Sequence, residues 1–394
     1  MRRRWTILAV LFVARAAMAF QFQSVGAVAP LISDSVGASL ADIGILIGLY
    51  LAPGVALALP GATIGQRYGD KATVLAGLLM MLAGEMLMAA SPFWSLQVGG
   101  RLISGTGGVL LNVLMTKMVA DWFAGREIAT AMAIYINSWP AGIAIALMLL
   151  PAIATTFGVT AVAIAVSVLV IVGIGLMTFI YRTPEVLPAG GVERSGISRA
   201  TTYALIAAGL IWCLYNVGFA MVFSFGPSML VERGWSNSAA GSTISVVLWL
   251  ATLSVPLGGF LTDRTKRGGV VLATGCVGFA FLMLLLSRSG PVFALIIAMG
   301  IAGGLPGGAI MSLPTRVLNQ KTRSIGMGVF YTVYYAGMLA GPTIGGKLAT
   351  WAGTSAAALD FGAAVLLLCP LLLWSFHRIS RLPQTMVVTS RQGG

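Results

Sequence analysis

The feature that most restricts this chain is the recurrence of apolar runs of about 20 residues, the length that crosses a ~30 Å hydrocarbon core at ~1.5 Å rise per residue. Twelve such runs fall near 5–31, 43–65, 73–91, 95–119, 127–151, 158–181, 201–226, 239–261, 269–287, 291–313, 324–349 and 354–376. Turn and charge residues stand between them, as in Arg67-Tyr68-Gly69-Asp70-Lys71, Glu232-Arg233-Gly234 and Asp263-Arg264-Thr265-Lys266-Arg267. A chain of 394 residues that is 58% hydrophobic and 9% charged has more apolar surface than a water-soluble core can hide. The expected fold is an all-α polytopic membrane protein of twelve helices.

An even number of spans puts both termini on one side, and the basic residues say which. Lys and Arg near helix ends are retained in the cytoplasm. One set of ends holds Arg2, Arg3, Arg4, Arg67, Lys71, Lys117, Arg126, Arg182, Arg194, Arg199, Arg264, Lys266, Arg267, Arg316, Lys321, Arg323, Arg378, Arg381 and Arg391; the other holds Arg233, Arg288 and Lys347. A multi-pass protein of the cell inner membrane with cytoplasmic termini is expected. The net charge of +13 follows from this topology and from attraction to anionic lipid headgroups, not from nucleic-acid binding. Arg2-Arg3-Arg4, an apolar run and Ala17-Met18-Ala19 have the outline of a cleaved signal peptide, but Arg15 inside the run and eleven further spans favour a retained first helix. Cys213, Cys276 and Cys369 fall within spans, as buried small side chains rather than a disulfide or metal framework.

The one substantial hydrophilic stretch inside the chain runs from Arg182 to Arg199, with Pro184, Pro188 and Gly190-Gly191. It divides the chain into a six-helix bundle over 1–181, a cytoplasmic linker over 182–199 and a second bundle with a short tail over 200–394. The halves echo each other: Arg264 follows Arg67, and Arg323 follows Arg126, by the same 197 residues. Pro60 and Pro256 are one residue off that register. Repeated halves are the usual build of transporters that rock two bundles about a midplane site.

The loop after the second span and its repeat resemble the signature of the major facilitator superfamily, Gly-x-x-x-Asp-Arg/Lys-x-Gly-Arg/Lys-Arg/Lys. The second copy keeps Gly259, Asp263, Arg264, Lys266 and Arg267; the first has Ala62 and Gln66 at the Gly and Asp positions, keeps Arg67 and Gly69, and continues with Asp70-Lys71. The resemblance implies a cytoplasmic latch of acid and bases, involving Arg67, Gly69, Asp70, Asp263 and Arg264, that breaks when that side opens. Arg101, Gly105 and Gly108 are similar to the family's Arg-containing fourth-helix motif. Gly328, Gly337, Gly341, Pro342, Gly345 and Gly346 have the spacing of the antiporters' fifth-helix Gly-Pro motif, displaced here to the eleventh helix. A closely packed, flexible gating helix is what Gly337, Gly341 and Pro342 supply in any case. Gln21-Phe22-Gln23-Ser24-Val25-Gly26-Ala27-Val28-Ala29-Pro30, Leu59-Pro60-Gly61 and Asp121-Trp122-Phe123 with Arg126-Glu127 resemble the cyanate permease and nitroimidazole transporter-like branch. The related nitrate porters carry substrate-binding arginines in the second and eighth helices; neither span holds an Arg here.

Ionisable residues within hydrocarbon cost roughly 2.5–3.5 kcal/mol each on insertion scales, so each needs a partner or a purpose. Four stand out: Arg15, Glu85, Arg101 and Asp360. Glu85 and Arg101 lie at similar distances on either side of one turn, which places them at one depth on antiparallel neighbours. They form either a structural ion pair or a proton site in which Glu85 takes up the coupling proton as Arg101 moves away. Asp360, early in the twelfth span, is either a satisfied outer acid or a third member of the coupling set. Gln21, Gln23, Asn112, Asn137, Trp212, Tyr215, Asn216, Tyr331 and Tyr335 cluster on the helices that line the central cavity of the resembled fold. With Arg15, ~15 Å from the start of the first helix, they make a hydrogen-bonding site suited to a small monoanion or a weakly polar organic solute. Helix packing is the competing role for each.

These residues point to secondary active transport of a small organic or inorganic anion by alternating access, in symport with protons, by a monomer without cofactor or metal. A proton-antiport exporter of organic compounds is the alternative direction. Gly303-Gly304-Leu305-Pro306-Gly307-Gly308 lacks the Lys-Ser/Thr of a nucleotide loop. An intramembrane enzyme lacks its equipment: the single His is His377, at a span end. A sensor without transport stays open as a further alternative.

Overall fold

The computed structural model describes residues 2–58, 60–123, 128–183, 197–288, 290–318 and 323–380. Among them there are helices and no strands. We number the spanning units α1 Arg2–Ala27, α2 Leu40–Leu51 continued by Pro53–Leu57 and Gly61–Tyr68, α3 Asp70–Ala90, α4 Trp94–Trp122, α5 Ile128–Phe157, and α6 Val159–Gly175 ending in a π turn, Leu176–Ile180. The second set is α7 Arg199–Glu232, α8 Asn237–Thr265, α9 Gly268–Arg288, α10 Val292–Gly304 with Pro306–Met311, α11 Arg323–Ala352, and α12 Ala356–Leu367 with Cys369–Ser380. The linker expected at 182–199 lies mostly outside the described residues.

The boundaries depart from the expected spans where proline intervenes. A Pro ring clashes with the carbonyl four residues back and removes a backbone donor. The run expected as 43–65 is accordingly broken at Pro53 and Pro60, and the tenth span at Pro306. The first run, expected to reach 31, ends at Ala27, and a short helix Ala29–Val36 with Pro30 in its first turn follows. Pro140, Pro151, Pro227, Pro256 and Pro342 instead sit inside continuous helices. Each leaves one carbonyl without its helical donor, and neighbouring helices use several of these carbonyls.

Eleven of the units are long and apolar enough to cross a membrane. The other, α11, has the length, at 30 residues, and its tyrosines Tyr331, Tyr334 and Tyr335 pack on one another and on Trp212 rather than on lipid. Large apolar side chains such as Phe157, Phe179 and Trp351 project outward, as a hydrocarbon solvent permits.

Within each half, glycine lets backbones touch. A Cβ on Gly107 of α4 would lie 2.1 Å from the carbonyl oxygen of Gly77 on α3, and one on Gly258 of α8 would lie 2.1 Å from that of Leu305 before the second part of α10. Between the halves, two seams form on the side opposite the termini. In the first, α2 meets α11: Cβ atoms on Gly44 and Gly48 would each come 2.3 Å from the oxygens of Pro342 and Leu339, and one on Gly346 would come 2.4 Å from that of Leu40. In the second, α8 meets α5, with Gly241 over the oxygen of Leu147, the carbonyl that Pro151 leaves without its usual donor. Ala41 N–H donates to Thr350 Oγ1 across the first seam at 2.9 Å.

Candidate functional site

Arg15 stands midway along α1, and the neighbouring helices receive it in a specific way. Its Nε donates to Asn112 Oδ1 of α4 at 3.0 Å. Its Nη1 donates to the carbonyl oxygens of Tyr135 (3.1 Å) and Ile136 (3.0 Å) and to Ser138 Oγ (3.3 Å), all on α5. The Ile136 carbonyl is free because the residue four positions on is Pro140, which has no N–H. The guanidinium lies 4.7 Å from the ring centre of Tyr135 and 5.9 Å from that of Trp139, within the range of cation–π attraction. Among the described residues no acid answers this charge. The ion pairs among the described residues are Lys117 with Asp70 and Asp121, and Arg288 with Asp360. Every partner of Arg15 is neutral, and its Nη2 makes no hydrogen bond to the described residues.

Asn112 carries the network across to the other half, where its Nδ2 donates to Tyr335 Oη of α11 at 3.0 Å. From Tyr335 a continuous series of rings runs through the second half: Tyr334 at 5.1 Å, Tyr331 at 6.5 Å, then Trp212 at 6.3 Å from Tyr334 and Tyr215 stacked 5.6 Å from Trp212. Arg15, Asn112, Trp139, Trp212, Asn216 and Tyr331 keep part of their surface accessible at mid-span, whereas Tyr135, Tyr215 and Tyr335 are buried behind them. The structure thus joins Arg15, Asn112, Trp212, Tyr331 and Tyr335 in one arc. Asn137 is half-buried on the same turn of α5 as Ile136. Asn216 Nδ2 turns back to the Trp212 carbonyl at 2.7 Å, and the Tyr215 hydroxyl donates to the Gly303 carbonyl at 2.7 Å, so that tyrosine tethers α7 to α10.

The two glutamines lie elsewhere. Gln21 is completely buried inside the first half. Its Nε2 donates to the Met81 carbonyl (2.8 Å), to Glu85 Oε2 (2.9 Å) and to Ser104 Oγ (3.2 Å), while its Oε1 accepts from the Tyr50 hydroxyl at 3.1 Å. Arg101, fully buried beside it, donates from Nε to the Leu46 carbonyl at 3.0 Å, from Nη1 to that of Gln21 at 3.0 Å and from Nη2 to that of Phe22 at 2.8 Å, and it lies 4.8 Å over the Tyr50 ring. A direct Glu85–Arg101 ion pair, one of the two expected arrangements, is not formed. Backbone oxygens of α1 and α2 occupy the guanidinium, and Gln21 stands between the charges. Gln23 is at the crossing of α1 and α7, where its Nε2 donates at 2.7 Å to the Phe223 carbonyl that Pro227 leaves free. Its Oε1 and the hydroxyls of Ser224 and Ser228 are buried there without partners. Asp360 takes two bonds from Arg288 Nη1, at 2.8 and 2.7 Å, and one from Ser287 Oγ at 2.5 Å.

On the terminal side, Gly69 (φ 85°) takes the left-handed turn between α2 and α3, a conformation a side chain would disfavour. Asp70 then faces Lys117 of α4 at 2.6 Å, with Asp121 at 3.7 Å from the same ammonium. Lys71 Nζ donates to the carbonyls of Thr178 and Tyr181 at 3.0 Å each, binding the end of α6. This loop therefore ties α3, α4 and α6 within the first half, and the contacts of Asp70 and Lys71 to the described residues stay within that half. Arg67 and Arg264 lie over Tyr68 and Phe260 of their own helices, at 5.4 and 5.9 Å. The side chain of Asp263 lies outside the described residues, as do Arg126 and Arg194. Gly337 and Gly341 admit Cys213 and Val217 of α7, and the Pro342 carbonyl meets Gly44 in the first seam.

Sequence reasoning missed Gly44, Gly48, Tyr50, Lys117, Trp139 and Pro140 as structural determinants. Three had a readable signal. Gly44-x-x-x-Gly48 has the small-residue spacing that lets membrane helices meet, and Pro140 announces a free carbonyl four residues earlier.

A family description, Major Facilitator Superfamily, matches residues 11–231 and 208–386. The chain is similar to the inner membrane transport protein YajR of Escherichia coli (24% identity; 79% of this chain, 70% of that one) and to the cyanate transport protein CynX of the same organism (22%; 72% and 74%). Its fold is similar to that of a bacterial homologue of the human lysosomal transporter Spinster in an inward-facing, unoccupied conformation, with a TM-score of 0.75 and 14% identity over 96% of each chain. Helix content, spans and matches agree, and the chain belongs to the Major Facilitator Superfamily, as a membrane transporter and not an enzyme.

Proposed function

We propose that the protein is a secondary transporter that carries a small monoanion by alternating access of the halves 1–181 and 200–394, in symport with protons. The observation that carries this reading is Arg15: a guanidinium at mid-span, held by neutral partners, with no acid against it and one nitrogen open. A charge at that depth costs a few kcal/mol unless something compensates it, and a transported anion does so. CynX carries cyanate by name, a small monoanion. On the charge distribution of Lys and Arg, the side of the termini is the cytoplasm of an inner-membrane protein. The two glycine seams then close the outer side, and the site opens inward. Glu85 is the proton site in this scheme: a buried carboxylate without a cation in contact, joined through Gln21 to the helix that carries Arg15.

Uptake of labelled cyanate into proteoliposomes, against protein-free vesicles, tests the reading. Accumulation driven by an alkaline interior and lost in Arg15→Gln is expected. Accumulation driven by an acidic interior would reverse the coupling to antiport, and gradient-driven uptake equal in wild type and Arg15→Gln would remove the anion site.

A further inference from the structure

The arc around Arg15 has a second property besides its charge. The groups beyond the guanidinium that keep accessible surface at this depth include three aromatic side chains, Trp139 in the first half and Tyr331 and Trp212 in the second, backed by the buried rings of Tyr334 and Tyr335. The rings are mutually in contact, at 5.1 to 6.5 Å between centres from Tyr335 to Trp212. Some of the hydrogen-bonding groups here are already paired. Asn112 spends one end on Arg15 and the other on Tyr335, Asn216 turns back on its own helix, and the Tyr215 hydroxyl is taken by Gly303. A small ion such as cyanate would fill the charge site and leave the rings uncovered.

From this we infer that the preferred substrates are planar aromatic monocarboxylates and ions of the same form, with the anionic head on Arg15 and the flat body against Tyr331 and Trp212. This rests on the anion reading of Arg15 and narrows it. A carboxylate accepts from the open Nη2 as a charge-assisted bond. An aromatic body gains offset or edge-to-face contact with neighbouring rings beyond what its area alone would give.

The test compares benzoate, cyclohexanecarboxylate and benzamide by calorimetric titration of the purified full-length protein in nanodiscs. Benzoate and cyclohexanecarboxylate share head group and size and differ in the π system; benzamide keeps the ring and loses the charge. Benzoate is expected to bind 3- to 10-fold more tightly than cyclohexanecarboxylate, the ratio set by an aromatic pair contact, and benzamide far more weakly. The preference is expected to vanish in Tyr331→Leu and in Trp212→Leu and to persist in Tyr331→Phe, which keeps the ring. The two leucine variants are independent, so a folding defect in one leaves the other to decide. Equal affinity for benzoate and cyclohexanecarboxylate, both lost in Arg15→Gln, would overturn the aromatic preference and leave the anion site standing. Binding of all three unchanged in Arg15→Gln would overturn the anion site itself. No binding of benzoate by folded wild-type protein would overturn the substrate class.

Discussion

A methyl group at Gly44 should open the side of the molecule that the structure holds shut. The Cβ of alanine there would sit 2.3 Å from the Pro342 carbonyl oxygen, and the same substitution at Gly48 would sit 2.3 Å from that of Leu339. Both contacts are more than about 1 Å inside ordinary van der Waals separation. The obstacle in each case is backbone in the opposite half, which cannot rotate away as a side chain end can. Overpacking of this kind costs about 1–3 kcal/mol. The methyl meets nothing comparable once α2 and α11 part, so the penalty falls on the closed seam alone and shifts the equilibrium toward the state open on that side by about 5- to 150-fold. The assay is the rate of maleimide labelling of Thr343→Cys, a half-buried seam position whose native hydroxyl lies 3.2 Å from where a Cβ on Gly48 would stand. Cys213, Cys276 and Cys369 are buried and supply little background. Gly44→Ala and Gly48→Ala should each raise that rate, and Gly175→Ala, where nothing lies within 4 Å of the added carbon, should not. Unchanged labelling in folded Gly44→Ala and Gly48→Ala would show that the helices absorb the methyl locally, and the idea of a backbone-sealed gate would fail.

Glu85→Gln should abolish pH-driven accumulation while leaving counterflow exchange, because exchange does not require the proton to be released; accumulation equal to wild type would remove Glu85 from coupling. Asp70→Asn should cost about 0–1 kcal/mol in thermal stability, since Lys117 is about half exposed, and should leave seam labelling unchanged because the pair lies within one half; a large change in labelling would restore it as a latch between halves. Pro140→Ala returns a backbone donor to the Ile136 carbonyl and should weaken anion affinity several-fold by loosening Arg15, which calorimetry against Arg15→Gln would measure. A reporter after Arg194 and one near Ser236 should lie on opposite faces of the membrane; activity on the same face would break the twelve-span topology.

The spans were legible because hydrocarbon imposes one requirement on every residue of a run, and runs of apolar residues satisfy it without reference to the rest of the chain. Proline breaks at 53, 60 and 306 shifted boundaries without changing the count. The site was legible by residue type and not by partner. Arg15 stood out as an ion in an apolar run, but that its receptors would be neutral groups, among them the Ile136 carbonyl bared by Pro140, rather than an acid, depends on which turn of α5 faces α1. Gln21 and Gln23 read as cavity residues because a polar side chain at mid-span needs a purpose. Both found it in hydrogen bonds to helices distant in sequence, Gln21 to α3 and Gln23 to α7. Glu85 and Arg101 were correctly placed at one depth, yet their shared dependence on Gln21 required three helices to be packed at once.

Arg15 also bears on how such a carrier responds to voltage. In the proposed cycle, the guanidinium communicates with the side of the termini while the seams are shut and with the other side while they are open. The charge need not travel far for this to count as movement, because the alternation relocates the insulating barrier from one side of it to the other. With the proposed proton site counted, an empty site (Arg15 cationic, Glu85 ionised) and a filled one (Arg15 with its anion, Glu85 protonated) cross that barrier with the same net charge. A full elementary charge is worth about 2.3 kcal/mol per 100 mV, so one proton per monoanion would make the membrane potential act alike on the empty and loaded steps, whereas Glu85→Gln would leave the empty carrier one positive charge ahead of the loaded one.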